Sequence, residues 1–188
     1  MLQYTGLPTL TPGKVRDMSS EFVVPPESPF ALLAADEKRA WFAYMKLQLR
    51  LRYEMNRQLQ ADSGISLADF DVLVALTSET GGRMSVSALS TRIGWERSRT
   101  SHHAKRMAAR GLVEMSRSEQ DRRVTEVSLT EHGWSTLRDA SPGHIGLVRS
   151  LFFENVDTDE LDTLSTTIEK IYDTVIENGT LPRPVDHP

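Results

Sequence analysis

The sequence contains no cysteine among its 188 residues, which excludes disulfide bonds, thiolate zinc sites, iron–sulfur clusters and thiol-based redox sensing. Its longest uninterrupted apolar run covers only residues 30–35. A membrane-spanning helix needs about 20 apolar residues, so we expect no membrane partner. The first ten residues lack a basic stretch followed by an apolar one. No secretory signal is therefore visible, and we expect a cytoplasmic protein.

The common catalytic motifs are also missing. The sequence holds no HExxH, GxSxG, GxxxxGK[ST] or GxGxxG pattern, and no spacing of its Ser, His and Asp residues indicates a catalytic triad. His102 and His103 are adjacent on a predicted helix, so their side chains point about 100° apart and cannot bind one metal ion as an i, i+4 pair can. We therefore expect a protein that is not an enzyme and has no cofactor and no metal site.

Positive charge is scarce overall but concentrated in the middle of the chain. The net charge is −4, which taken alone argues against a nucleic-acid partner. Residues 83–123, however, carry ten Arg and Lys residues and four acidic ones, a net charge of +6. The remaining 12 basic and 22 acidic residues give −10. This asymmetry indicates a surface for phosphate groups, although a solvated charged face is the simpler alternative.

Proline marks both ends of the chain. Five of the nine prolines lie in residues 8–29 and three in residues 182–188. This distribution predicts an extended N-terminal arm over residues 1–34 and a loose tail over residues 179–188. A single domain would then occupy residues 35–178.

Two long amphipathic segments lie at the ends of this domain. Residues 35–61 lack Gly and Pro and carry two neighbouring apolar stripes at helical spacing. One stripe consists of Tyr44, Leu47, Leu51, Met55 and Leu59, and the other of Trp41, Met45, Leu49 and Tyr53. Together the stripes cover more of the helix than one core requires. Residues 157–178 repeat the pattern behind an Asp157–Glu160 capping box. We expect residues 35–61 and 133–178 to form dimerisation helices.

The middle of the chain has a different pattern. Ser66 and Asp69 predict the start of a helix, Ser85 begins a second that Gly94 closes, and a third covers about residues 96–110. Alternating apolar residues at 113, 115, 127 and 129 predict a β-hairpin. Thr130 caps a further helix, which Pro142 should kink or interrupt. The predicted fold is mainly α with a small two-stranded β-wing, a winged helix-turn-helix over about residues 62–132.

Residues 111–133 carry a specific resemblance. Three short segments there resemble the wing pattern of the MarR family of bacterial transcriptional regulators. They are Gly111-Leu112-Val113, Asp121-Arg122-Arg123 and Leu129-Thr130-Glu131-His132-Gly133. The flanking helices match that family in order and length, so the resemblance covers about residues 36–177. It implies a homodimer that binds double-stranded DNA.

The third predicted helix presents the candidate DNA-binding residues. Thr100, Ala104 and Met107 lie on its inward face, and cationic side chains lie on the other, as suits the DNA major groove. By resemblance, the base-reading positions are Ser98, Arg99 and His102, with Ser101 close by. We expect Arg106 and Arg110 to contact phosphates.

The predicted wing tip supplies a second set. The Asp121 carboxylate could accept from the Arg123 guanidinium and direct that arginine into a narrow minor groove. The resemblance implies this role for the pair, and Arg122 would contact a phosphate. An ordinary turn salt bridge is the alternative.

The resemblance also implies a ligand. Family members sense small aromatic compounds, and Trp41, Tyr44 and Met45 could line such a pocket, although core or dimer contact is the commoner role of an aromatic stripe. The predicted function is a dimeric, ligand-responsive repressor at a palindromic operator. The alternative is a winged-helix protein-interaction module without specific DNA binding.

Overall fold

The structure, a computed structural model, describes residues 24–184. The described elements are α1 (Ala35–Ser63), α2 (Leu67–Thr77), β1 (Arg83–Ser85), α3 (Val86–Ile93), α4 (Arg97–Ala109), β2 (Val113–Arg117), β3 (Thr125–Leu129), α5 (Glu131–Val148) and α6 (Thr158–Asn178). A π-helical turn, Arg149–Phe153, follows α5. Residues 1–23 of the predicted arm and 185–188 of the predicted tail lie outside the described residues. No helix within residues 24–184 is long and apolar enough to cross a membrane.

The described residues divide into two compact units, with the boundary between Leu47 and Gln48. In the described part of the first unit, Pro29–Leu32 form a 3-10 helix that Ser28 caps. The ring of Phe30 packs edge-on against that of Phe42, with 5.2 Å between centroids. The prediction of an extended arm up to residue 34 is therefore wrong over these four residues. Proline at the first helical position favours a helix start, and the aromatic contact stabilises it.

The hydrophobic core of the second unit is built around α2. Leu73 and Leu76 are fully buried, as are Leu59 of α1 and Leu89 of α3. Burying each such side chain contributes about 1.5–3 kcal/mol. The predicted capping box at the start of α2 is confirmed, because the Ser66 hydroxyl accepts from the Asp69 N–H and the Asp69 carboxylate accepts from the Ser66 N–H.

The predicted hairpin is confirmed and belongs to a three-stranded antiparallel sheet in the order β1-β3-β2. Val127 of β3 lies opposite Met115 of β2 and Met84 of β1, and all three side chains face the core. The alternating sequence pattern predicts two strands only. Strand β1 was missed because three residues are too few to show an alternating pattern.

The Leu-Thr-x-x-Gly segment joins the wing to α5. The Thr130 hydroxyl accepts from the Gly133 N–H at 3.0 Å and donates to the Gly111 carbonyl at 2.5 Å, with the Leu112 carbonyl oxygen 3.1 Å away. A Cβ on Gly133 would lie 2.0 Å from that same carbonyl oxygen. Only glycine permits this approach, so the motif fixes the point where α5 crosses the start of β2.

Helix α5 is continuous through Pro142, so the expected interruption there is wrong. Proline removes one backbone hydrogen bond from a helix interior. Pro142 is exposed, and solvent can therefore compensate for the lost bond. The break in regular α-helix comes later, at the π-helical turn.

Candidate nucleic-acid interface

A tight turn joins α3 to α4 and sets the position of α4. Gly94 closes α3 in the left-handed conformation, with φ of +65°, which glycine adopts at little cost. The next residue, Trp95, donates its N–H to the Ser90 carbonyl at 2.9 Å. Gly94 donates its own N–H to the Thr91 carbonyl at 3.3 Å, and these two hydrogen bonds together form the Schellman motif. The two helices thus form the predicted helix-turn-helix.

Helix α4 is amphipathic in the predicted sense. Thr100, Ala104 and Met107 are fully buried, as predicted, and His103 is buried beside them. The predicted base-reading residues Ser98, Arg99 and His102 are exposed, and Ser101 is half-buried. The exposed face also carries Arg97, Lys105 and Arg106. The helix therefore presents cations and small polar groups along one side.

Arg99 is held by an aromatic residue that the sequence analysis did not identify. Its guanidinium carbon lies 4.1 Å from the centroid of the Trp95 ring, a cation–π contact. The Trp95 ring meets that of His103 edge-on, with 5.2 Å between centroids. Residues 95, 99 and 103 are four apart, so the helical spacing that identified the basic face could also have identified Trp95.

A buried carboxylate connects α2 to α4. Asp69 Oδ2 accepts from Arg110 Nη1 at 2.7 Å, and Asp69 Oδ1 lies 2.9 Å from His103 Nε2. Burial alone would raise the pKa of the Asp69 carboxyl. The contacts from His103, Arg110 and Ser66 outweigh burial and hold that pKa well below its ordinary value. Asp69 is therefore ionised across the physiological range.

This cluster gives two of the predicted phosphate-binding residues internal partners. Arg110 binds Asp69 and donates a second hydrogen bond to the Gly64 carbonyl at 3.0 Å. Arg106 Nη2 lies 2.9 Å from His103 Nδ1. Arg110 thus tethers the end of α4 to the start of α2, while Arg106 remains on the exposed face.

The wing tip is built differently from the prediction. Asp121 Oδ1 accepts from the backbone N–H of Arg123 at 2.9 Å, and the Val124 N–H donates to the Asp121 carbonyl at 2.9 Å. Within residues 24–184 there is no ion pair between the Asp121 carboxylate and the Arg123 guanidinium. The expectation of such a pair is wrong because this carboxylate closes the turn through the main chain. Arg122 and Arg123 are both exposed.

A shallow cleft separates the wing from α4. It has a volume of about 400 Å³ and is lined by Lys105, Ala108, Met115, Ser116, Arg117 and Thr125. Arg117, which the sequence analysis left unassigned, donates to Thr125 Oγ1 at 3.2 Å. Lys105 of α4 and Arg117 of β2 thus place one positive charge on each side of the cleft.

The candidate ligand residues lie in the first unit. The rings of Trp41 and Tyr44 are 5.8 Å apart between centroids and tilted by 41°. Both side chains are exposed, and Met45 is half-buried. The structure therefore brings the two aromatic residues together on one side of α1.

Comparisons with known proteins agree with this architecture. Residues 63–124 match the sequence model of the MarR family. The chain is 27% identical over 137 residues to the transcriptional repressor MprA of Escherichia coli K12. The aligned region covers 72% of this chain and 77% of MprA.

Two solved structures from Streptomyces coelicolor are similar as well. AbsC, a MarR family transcriptional regulator, is 31% identical with a TM-score of 0.73, over 78% of this chain and 98% of AbsC. Sco3205, a MarR family transcriptional regulator in complex with DNA, is 26% identical with a TM-score of 0.74, over 81% of this chain and 94% of Sco3205. The fold, the wing motif and these similarities lead to one conclusion: the chain belongs to the MarR family of transcriptional regulators.

Proposed function

We propose that this chain is a dimeric, sequence-specific DNA-binding repressor. The observation that carries the proposal is the exposed basic face of α4 beside a wing tip with two exposed arginines, Arg122 and Arg123. Residues 83–123 hold a net charge of +6 in a chain of net charge −4, as expected for a phosphate-binding surface. The DNA complex of Sco3205 and the repressor activity of MprA support it.

In this proposal α4 lies in the major groove. The first turns of a recognition helix reach base edges, so Ser98, Arg99, Ser101 and His102 would read sequence. Arg99 is suited to guanine, which offers two acceptors to one guanidinium. Arg106 would contact phosphates. Arg110 would mainly hold α4 in place through its ion pair with Asp69. Its half-exposed side chain would also lie near the phosphate backbone of the DNA.

The wing supplies the second contact. Arg123 would enter the minor groove, where narrow tracts attract arginine electrostatically, and Arg122 would bind a phosphate. Asp121 shapes the turn that carries both residues.

The proposed dimer uses the N- and C-terminal helices, residues 35–61 and 133–178. Exposed apolar side chains support this assignment. Ile168, Ile171 and Val175 of α6 are each half or more exposed, although an apolar stripe at helical spacing is normally covered. A two-fold dimer would place its recognition helices about one DNA turn, roughly 10 base pairs, apart. The operator is then an imperfect palindrome.

We further propose that a small aromatic ligand relieves repression and that Trp41, Tyr44 and Met45 contribute to its site. Such a ligand acts by favouring a dimer geometry in which the recognition helices no longer match successive major grooves. The DNA partner of such a repressor would be the chromosome, so the protein would act in the cytoplasm. In this proposal it has no catalytic activity.

Selection from a pool of randomised DNA duplexes tests the function. We expect the wild-type protein to enrich an inverted repeat whose half-sites are about 10 base pairs apart. If no motif is enriched although the protein is folded, the proposal is wrong, and the protein-interaction module remains.

A further inference from the structure

Arg99 is oriented before any DNA arrives. Its guanidinium carbon lies 4.1 Å above the Trp95 ring. Among the residues that the structure describes, the Arg99 side chain makes no hydrogen bond or ion pair, and its recorded contact is the one with Trp95. A guanidinium that stacks through its face keeps its N–H edges free. Those edges are the groups that donate to the O6 and N7 acceptors of guanine.

Trp95 is itself fixed on two sides. Its backbone N–H is bonded to Ser90 in the turn after α3, and its half-buried ring packs against the hydrophobic core. The ring meets His103 edge-on at an interplanar angle of 87°. The ring therefore has little freedom to rotate away from Arg99.

His103 continues the contacts into the protein interior. It is only 8% exposed, its Nδ1 lies 2.9 Å from Arg106 Nη2, and its Nε2 lies 2.9 Å from Asp69 Oδ1. Successive contacts thus lead from the buried carboxylate of Asp69 through His103 and Trp95 to the exposed Arg99. A long surface arginine is normally free to sample many rotamers, and ordering it costs binding energy.

We infer that Trp95 is a positioning residue for base readout. It holds the Arg99 guanidinium in place, and so sets the preference for guanine at one position of each half-site without touching DNA itself. The inference rests on the proposed function. Loss of the ring returns rotamer freedom to Arg99, which should weaken the preference at that position roughly 3- to 10-fold.

Selection and sequencing of bound duplexes with matched variants tests this role. Arg99→Ala should abolish the preference at one position per half-site. Trp95→Leu should weaken the preference at that same position and leave the other positions unchanged. Trp95→Phe keeps an aromatic face and should retain most of it. In the Arg99→Ala background, Trp95→Leu should have no further effect. Trp134→Leu controls for the loss of a tryptophan elsewhere, and thermal melting checks each fold.

Three outcomes would overturn the inference. First, the base preference at the Arg99 position could be unchanged in Trp95→Leu. Second, Trp95→Leu could weaken the preference equally at every position. Third, Trp95→Leu could cause a further loss of preference in the Arg99→Ala background. Equal loss with lowered melting temperature means that Trp95 only stabilises the fold. A wild-type protein that enriches no motif overturns the proposed function, and the inference with it.

Discussion

Arg110 Nη1 lies 2.7 Å from Asp69 Oδ2 and so connects the end of α4 to the first turn of α2. The carboxylate is almost completely buried, whereas 43% of the arginine side chain is exposed. Asp69 also caps α2 through Ser66. The Asp69 side chain thus caps α2 and tethers the end of α4 to it.

Replacing Asp69 should destabilise the protein. Asp69→Ala removes the capping contact and leaves His103 without its carboxylate, so we expect the free energy of unfolding to fall by about 2–4 kcal/mol. The loss should be smaller for Asp69→Asn, which keeps an oxygen acceptor. Urea unfolding near pH 7 measures both values. A change below the error of the measurement would contradict the structural role.

The same residue predicts a pH dependence. Because the folded pKa of Asp69 is lowered, its ionisation stabilises the folded state above the unfolded pKa of about 3.9. This contribution is lost as pH falls below that value toward the folded pKa. The difference in unfolding free energy between wild type and Asp69→Asn should therefore shrink between pH 6 and pH 3. A difference that is constant across this range would contradict the prediction.

Arg123 should matter for DNA binding and not for folding. Its side chain is exposed, so Arg123→Ala should leave the melting temperature unchanged. Loss of the minor-groove contact should weaken operator binding by roughly 1–3 kcal/mol, which fluorescence anisotropy with the selected duplex can measure. Arg138→Ala is the matched control, since Arg138 is an exposed arginine of α5 that pairs with Glu131. Equal affinity for both variants would remove the wing from the mechanism.

Asp121 should act through its oxygen and not through its charge. Asp121→Asn retains the acceptor for the Arg123 N–H and should bind the operator with nearly wild-type affinity. Asp121→Ala loses the acceptor, loosens the wing turn and should bind more weakly. If Asp121→Asn weakens operator binding as much as Asp121→Ala does, the prediction is wrong, and the negative charge of Asp121 directs the Arg123 guanidinium.

The apolar face of α6 should determine the oligomeric state. Ile168→Asp with Ile171→Asp places charge on residues that are 50% and 59% exposed, so no buried contact is lost within one chain. We expect analytical ultracentrifugation at micromolar concentration to show a dimer for wild type and a monomer for this variant. Thr166→Asp, on the other side of α6, should remain dimeric. A monomeric wild type would contradict the proposed dimer.

The order of helices and the hairpin could be predicted from the sequence because local signals mark them. Caps such as Ser66 and Ser85 and the stop at Gly94 depend on residues within one turn. The inward face of α4 followed from periodicity alone. Strand β1 could not be predicted, because its pairing partner β3 lies more than 40 residues away along the chain.

The details of the site were less accessible to sequence reasoning. Arg110 and Asp69 are 41 residues apart, so their contact depends on how α2 and α4 pack. The spacing of Asp121 and Arg123 allowed both a side-chain ion pair and a bond to the main chain, and only the turn geometry decides between them. The four-residue spacing of Trp95 from Arg99 is visible in the sequence, but Trp95 precedes α4 and is apolar, so a search for basic residues on the helix does not include it.

The most direct test of specific DNA binding is a titration against a labelled duplex that carries the inverted repeat enriched by selection, at low and at moderate salt, with excess unrelated DNA present. Several phosphate contacts release counterions on binding, so affinity should fall roughly tenfold or more between 50 and 200 mM salt. We predict that binding survives the competitor at low salt and weakens steeply as salt rises. Binding that is lost to the competitor, or that does not depend on salt, would contradict a sequence-specific contact through α4 and the wing.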